Sequence, residues 1–472
     1  MTDDLDDPQW LSAAALGRAY ASGEVSPVEI AEGLLGRIEA LDAKVNAFCV
    51  IDSGATIAQA EASQDRWMAG APLSPLDGVP VAIKDLLVTK GWPTLRGSRT
   101  VEKDQPWGDD APSVARLREA GAVFIGKTTT PEFGFKGTND NTLTGTTRNP
   151  WDLSKTPGGS SGGSSAALAA GFAPLALGTD GGGSVRIPAS FTGTYALKPS
   201  FGRVAAWPLS PFGTLAHVGP MTRTVEDAAL LLNEMAKPDA RDWYQVPNTV
   251  PDFLAALEQG VKGARIAYCP TLGWAKGVDP EVAEAVRHAA LAFQALGAQV
   301  DEVDPPLEDP SEIFRTLWFG AAGQYLGPLP EEKKALLDPW LRHMVEEGLK
   351  YDLPRFFEAQ LARGRYGAAM RQWMEHFDFI LTPATAVPAF GVDRMSPGDT
   401  DPYWLWMPWT PFSYPFNLTQ QPACSINGGF TSAGLPIGLQ IVGRMFDDAG
   451  VLRAARAFEA AHPEHHRTAP GF

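Results

Sequence analysis

The sequence predicts a layered α/β protein. Three observations carry this: short Val/Ile-rich runs of strand length, amphipathic helical stretches alternating with them, and turn residues at the joints. In chain order, residues 10 to 46 show helical periodicity, and Ser26-Pro27 ahead of "VEIAEGLLGRIEALD" reads as an N-cap and a first-turn proline, so two amphipathic helices open the chain. "LDGVPVAIKDLL" reads as a buried strand holding Lys84. "SVARLREAGAVFIGKTT" reads as a helix, a stop at Gly121 and a strand. From about residue 236 to 370 the texture turns to helices with Pro-rich joints, with the strand "GARIAYCP" before a helix capped by Asp279 and begun by Pro280. "FDFILTPAT" and "GLPIGLQIVG" then return strands to the same sheet, while "DPYWLWMPWTPFSYPFN" reads as an aromatic, Pro-rich loop.

Composition excludes several function classes. The 472 residues suggest about three average domains, although α/β enzymes often exceed that average as one unit. Asp plus Glu outnumber Lys plus Arg by 55 to 39, and a net charge of -16 argues against nucleic acid and anionic membrane surfaces as partners. The start "MTDDLDDPQW" is acidic where a secretory signal needs a basic region, so no leader is expected. The apolar stretch "AALAAGFAPLALG" is broken by Gly171 and Pro174 and falls short of the roughly 20 residues of a membrane span. Cys49, Cys269 and Cys424 are far apart without CxxC spacing, which predicts neither disulfides nor a zinc site and fits a cytoplasmic protein with buried thiols.

Two Gly/Ser clusters carry the chemistry. "TPGGSSGGSSAALAAG", residues 156 to 171, runs into a helix-forming stretch with Ser164 or Ser165 as a natural N-cap, which disfavours a linker. No lysine follows its glycines, which disfavours a phosphate loop. In "GTDGGGSVRIPAS", residues 178 to 190, three glycines precede Ser184 and can aim consecutive N–H groups at one point. That is oxyanion-hole geometry, in which one donor is worth about 3 kcal/mol, with Ser184 placed as nucleophile. A serine needs a base. His462, His465 and His466 lie in the tail and His288, His343 and His376 in the helical middle, leaving His217 in a plausible loop. A buried, neutral lysine is the other known partner, and Lys84 in its apolar run is the outstanding candidate.

At this point the chain resembles the amidase signature hydrolases. "GGSSGGSSAALAAGFAPLALGTDGGGSVRIPAS" is similar to that family's Gly/Ser-rich signature, and "GVPVAIKD", "LKPSFGRV", "GPMTRTVEDAALLL", "YPFNLTQQPA" and "GLPIGLQIVG" follow its order from about residue 76 to 443. The resemblance implies a large mixed, twisted central sheet covered on both faces by helices. It implies one domain over 1–472, with N-terminal helices at 1–70, a signature core at 71–235, a mainly helical cover at 236–380 and a return to the sheet with a C-terminal helix at 381–472. It further implies a triad of Ser184 as nucleophile, Ser160 as a cis-serine relay after a cis Gly159-Ser160 bond, and Lys84 as base. The N–H groups of Gly181, Gly182, Gly183 and Ser184 would form the oxyanion hole. No metal or organic cofactor is expected.

Around this core, Ser161 is expected to support the relay, and Asp180 and Arg186 to pair and hold the nucleophile loop. Asp85 and Lys198 are expected to be paired or solvated. His217 is expected to pack or hydrogen-bond in its loop. In "TLAHVGP" the family often carries aspartate where this chain has Ala216, and in "GTDGGGS" many relatives have threonine where this chain has Gly182, which is expected to loosen the loop slightly. Trp404, Trp406, Trp409, Phe412 and Tyr414 are either scaffold or pocket lining; Phe133, Phe135 and Thr138 are pocket candidates on the same terms.

The leading reading is an autonomous amidase acting on a small-molecule amide through an acyl-enzyme, with aryl amides, esters or carbamates on the same machinery. One rival is the glutaminase component of a tRNA-dependent amidotransferase, its so-called A component, which works with a partner protein and requires a clamp for glutamine's α-amino and carboxylate groups. Another is a binding protein that kept the fold and lost the chemistry, against which the joint presence of Lys84, Ser160 and Ser184 speaks. Relatives are often homodimers, and a homodimer is the assembly the resemblance suggests.

Overall fold

Eleven strands share one mixed sheet in the computed structural model, which describes residues 8–246 and 250–472. The acidic stretch 1–7, read above against a leader, lies outside the described residues. In chain order the strands are β1 (Phe48–Val50), β2 (Pro80–Lys84), β3 (Val123–Thr128), a separate hairpin of β4 (Asp140–Asn141) and β5 (Gly145–Thr146), β6 (Leu175–Asp180), β7 (Tyr195–Lys198) and β8 (His217–Thr222). The later ones are β9 (Arg265–Tyr268), β10 (Gln299–Glu302), β11 (Phe379–Pro383), β12 (Ala423–Phe430) and β13 (Pro436–Gly443). Their spatial order is β1-β3-β2-β6-β8-β7-β12-β13-β11-β9-β10. β2 is parallel to β3 and β6, and β9 to β10 and β11, whereas β6–β8, β8–β7, β7–β12, β12–β13 and β13–β11 are antiparallel. Helices flank this sheet, and β2, β3 and β13 are buried along their whole length, which is why they read as continuous apolar runs.

The local signals that set the outer elements are ordinary ones. Ser26 and Glu29 form a capping box at the helix Pro27–Val45, and Asp279 accepts the Glu281 N–H at 2.8 Å to start the helix Pro280–Ala295. Gly121, at φ 84°, turns the chain from the helix Pro112–Glu119 into β3. No helix among the described residues is long and apolar enough to cross a membrane.

Two expectations are corrected, and one strand was not foreseen. The helix after the first Gly/Ser cluster spans Gly162–Ala169, with Ser161 rather than Ser164 or Ser165 at the cap position. The Ser164 hydroxyl donates to the Leu177 carbonyl at 3.0 Å and that of Ser165 lies 2.6 Å from Thr192 Oγ1, so both stitch the helix to its neighbours instead of capping it. "QVDE" forms β10, an edge strand with one half-buried and three exposed residues, so it carries no apolar pattern to announce it. The aromatic segment contains a 3-10 turn, Met407–Trp409, and a short helix, Pro415–Leu418, rather than loop alone.

Candidate active site

β2 ends on Lys84, whose side chain is fully buried. β6, its neighbour in the sheet, ends on Thr179-Asp180 and leads into the glycine turn that carries Ser184. The peptide bond between Gly159 and Ser160 is cis, as expected, and Ser160 faces the same region. Lys84 Nζ lies 2.7 Å from Ser160 Oγ, 2.8 Å from Ser161 Oγ and 2.9 Å from Thr179 Oγ1. Ser161 donates its own hydroxyl proton to the Thr179 carbonyl at 3.2 Å, so it receives an N–H from Lys84. A neutral amine has two N–H donors and one lone pair, which suits three hydroxyl partners: N–H to Ser161 and Thr179, and the Ser160 O–H into the lone pair. Burial pushes the Lys84 pKa well below its ordinary value, opposed by the charge of Asp180. Thr179 was not singled out in the sequence; its position at the end of the strand entering the glycine turn is the signal that could have found it.

Asp180 organises the turn that carries Ser184. Its carboxylate accepts the N–H groups of Gly183 at 2.8 Å and Val185 at 3.2 Å and pairs with Arg186 through two contacts of 3.0 and 2.9 Å. Arg186 extends the network to the Ser413 carbonyl, Gln440 and Asn417. Burial raises the Asp180 pKa, but the Arg186 guanidinium outweighs it and holds the carboxyl well below the usual range. Of the four N–H groups expected to converge as oxyanion donors, that of Gly183 is taken by Asp180. The N–H groups of Gly181, Gly182 and Ser184 have no acceptor among the described residues.

The turn is wedged rather than loosened at Gly182. A Cβ there would lie 2.7 Å from the Phe314 ring and 2.8 Å from the Trp406 ring, and the Gly182 carbonyl accepts the Ser413 hydroxyl at 2.6 Å. Ser161 N–H donates to the Ser184 carbonyl at 3.0 Å, tying the two Gly/Ser turns together.

Ser160, Thr179, Gly181 and Ser184 line one cavity of about 280 Å³. Phe133 is in its wall, but the other expected pocket residues are not. Thr138 sits behind the Ser160 turn, where its carbonyl would be 2.4 Å from a Cβ on Gly159. Trp409 stacks on Phe191 at 5.6 Å and Tyr414 on Phe314 at 4.9 Å, both as buried scaffold. The rest of the aromatic wall comes from Trp207 and Phe212, shortly after the signature, and from Trp318 and Tyr325, far from it in sequence.

His217 also borders the cavity, with Nδ1 2.9 Å from the Leu215 carbonyl and Nε2 3.4 Å from Lys198 Nζ. Burial, then the nearby Lys198, drives its pKa well down, so it is a neutral, backbone-held ring. Asp85 pairs with Lys127 at 3.0 Å, as expected. Lys198 departs from expectation: it is buried and donates to the carbonyls of Pro199 and Gln421, and burial drives its pKa well down. Away from the cavity, His462, Glu464 and His465 place ligand atoms within 4.8 Å of one another in the C-terminal turn.

The amidase family model matches residues 29–452. An acylamidase of Rhodococcus erythropolis is 39% identical over 465 aligned positions, covering 96% of each chain. The A component of the glutamyl-tRNA(Gln) amidotransferase of Myxococcus xanthus (strain DK1622) is 38% identical over 488, covering 98% of this chain and 99% of that one. The crystal structure of a bacterial aryl acylamidase of the amidase signature family superposes with a TM-score of 0.89 at 32% identity, covering 98% of this chain and 99% of that chain. Matched nearly end to end in both sequence and structure, this chain belongs to the amidase signature family of amide-hydrolysing enzymes.

Proposed function

We propose that the protein is an autonomous amidase for small amides with an apolar or aryl body, working through Ser184, Ser160 and Lys84. The observation that supports this most is the buried Lys84 amine, 2.7 Å from Ser160 Oγ and surrounded by hydroxyls rather than carboxylates. Ser160 passes its proton to the lysine lone pair and takes the Ser184 proton as Ser184 Oγ bonds to the amide carbon. The carbonyl electrons move onto oxygen, which the N–H groups of Gly181, Gly182 and Ser184 receive. Collapse breaks the C–N bond, the relay returns the proton to the leaving amine, and water then cleaves the acyl-enzyme to a carboxylic acid.

The 38% identity to an amidotransferase component makes the glutaminase reading the competitor. The cavity wall favours the autonomous enzyme: no Asp or Glu among the described residues lines it to receive the ammonium of free glutamine. We also read residues 1–472 as one domain, since strands from both ends share the sheet. The protein is read as cytoplasmic on its three unpaired cysteines, and as a homodimer on the exposed stripe Leu353, Phe357 and Leu361, whose mass light scattering would read.

The purified chain should hydrolyse anilides and leave glutamine intact. If it is inert on anilides, aliphatic amides and carbamates alone, and gains glutaminase activity only with a tRNA-binding partner, the autonomous reading fails.

A further inference from the structure

Among the described residues, Arg96 holds the one formal charge in the wall of the reaction cavity. The other wall residues include aromatic rings, prolines, small aliphatic groups, serines and the neutral His217, and no Asp or Glu is among them. The guanidinium donates to the Tyr325 hydroxyl at 2.8 Å, and no carboxylate among the described residues lies within ion-pair distance of it. Arg96 and Tyr325, with Phe133, Trp207 and Pro208, border both this cavity and an outer groove, so the cation stands at the neck between them. The groove has a single acidic wall residue, Asp109.

The backbone fixes that position. Arg96 at φ 58° and Phe133 at φ 51° are both non-glycine residues in the left-handed region, and the Phe133 N–H donates to the Arg96 carbonyl at 2.8 Å. Such conformations are costly and persist where surrounding structure over-determines them. The next residue, Gly134, abuts the reacting centre: a Cβ there would lie 3.1 Å from Ser160 Oγ. Phe133 and Tyr325, which border the cavity together with Arg96, meet edge to face at 6.0 Å. A planar cation in a cavity wall without acidic residues, with no carboxylate of the described residues within ion-pair distance, is suited to receive a planar anion in a two-pronged hydrogen bond.

We propose that Arg96 is a carboxylate-binding subsite, so that the substrate is an amide with an apolar or aryl body and a carboxylate on one arm. This rests on the amidase reading above. The acid can belong to the acyl arm, as in a monoanilide of a dicarboxylic acid, or to the amine arm, as in an N-acyl aminobenzoate.

Two matched pairs test it: glutaranilic acid against pentananilide, and 4-acetamidobenzoate against acetanilide. In one pair the carboxylated member should have a kcat/KM about tenfold or more above the neutral one, and Arg96→Met should collapse that ratio, mainly through KM. The pair that responds identifies the arm, and Arg96→Lys should restore part of the ratio as a point charge. Equal losses on both members of each pair, or no carboxylate preference in the parent enzyme, would overturn the subsite. Equilibrium binding of the same compounds to Ser184→Ala separates the two readings. A carboxylate preference in binding that Arg96→Met removes, without turnover by the parent enzyme, sinks the hydrolase mechanism and leaves the subsite standing. Turnover of the neutral anilides without any binding preference sinks the subsite alone.

Discussion

Lys84 Nζ and Ser160 Oγ are 2.7 Å apart at the end of a fully buried strand, with Ser161 and Thr179 taking the amine's remaining hydrogen-bonding capacity. Ser160 and Thr179 both touch the amine and line the cavity with Ser184, but Thr179 receives an N–H from the amine, which leaves the Ser160 hydroxyl to meet its lone pair. Ser184→Ala should abolish anilide turnover and covalent labelling by a fluorophosphonate. Lys84→Ala should lower kcat by about 10³-fold or more, within the range expected when a relay loses its base. Full activity in either variant would sink the relay.

The pH dependence follows from the buried amine. Burial lowers the Lys84 pKa against the opposing pull of Asp180, so with neutral Lys84 as the proposed base kcat should fall as pH drops through the folded-state value. The residual activity of Lys84→Ala should lack that acid limb. Stability should run the same way. The unfolded lysine binds a proton that the folded one does not, so unfolding takes up a proton and stability rises with pH toward the ordinary lysine value. Lys84→Met should therefore melt at a higher temperature than the parent at pH 7, with the gap narrowing as pH rises. A gap that stays constant with pH would count against a neutral Lys84.

Gly182 is enclosed by Phe314, Trp406 and Ser413. Gly182→Ala should cost about 1–3 kcal/mol by overpacking, read from urea unfolding, and should also reduce turnover because the oxyanion turn must shift. Adding Phe314→Leu should recover part of the loss, since the two sites touch. Additive losses in the double variant would show that the clash is not the cause.

Arg186→Met leaves the Asp180 carboxylate buried without its cation. The expected loss is about 3–5 kcal/mol, together with reduced turnover, because the same carboxylate holds the Gly183 and Val185 N–H groups beside Ser184. Chemical denaturation that places the variant within about 1 kcal/mol of the parent would mean the pair is dispensable.

Asp227 anchors the N-terminal helix Ala13–Ser22 by accepting the Ala14 N–H at 3.0 Å. Burial raises its pKa to about 6, against the lowering effect of hydrogen bonds such as that from Ala14. The folded state therefore binds the proton more tightly, and stability present below about pH 4 is lost as pH rises through 6, on the order of 3 kcal/mol. Asp227→Asn should flatten that slope in thermal melts run from pH 4 to 8; an unchanged slope would assign the effect elsewhere.

Sequence alone reached the features written in local pattern. β2, β3, β11 and β13 are apolar runs buried in the sheet, and the helix starts at Ser26 and Asp279 are set by side chains two or three residues from the backbone they cap. Strand β8, "HVGPMT", contains Gly and Pro inside a central position, so its pairing with β6 and β7 had no periodicity to announce it.

The family motifs put Lys84, Ser160 and Ser184 on the map as residue types at positions in a string, and placed Asp180 beside Arg186. Tertiary structure decided what each group meets. The Gly183 N–H is claimed by Asp180, Gly182 is walled by Phe314 and Trp406, and Thr179 completes the shell of Lys84. The cavity takes its aromatic wall from residues 207–212 and 318–325 rather than from the tryptophan-rich loop at 404–409. Strands and caps are determined by neighbours a few residues away. The direction of an N–H, the filling of a glycine's empty side and the isolation of Arg96's charge depend on segments up to a few hundred residues apart, which only the folded sheet and its helical cover bring together.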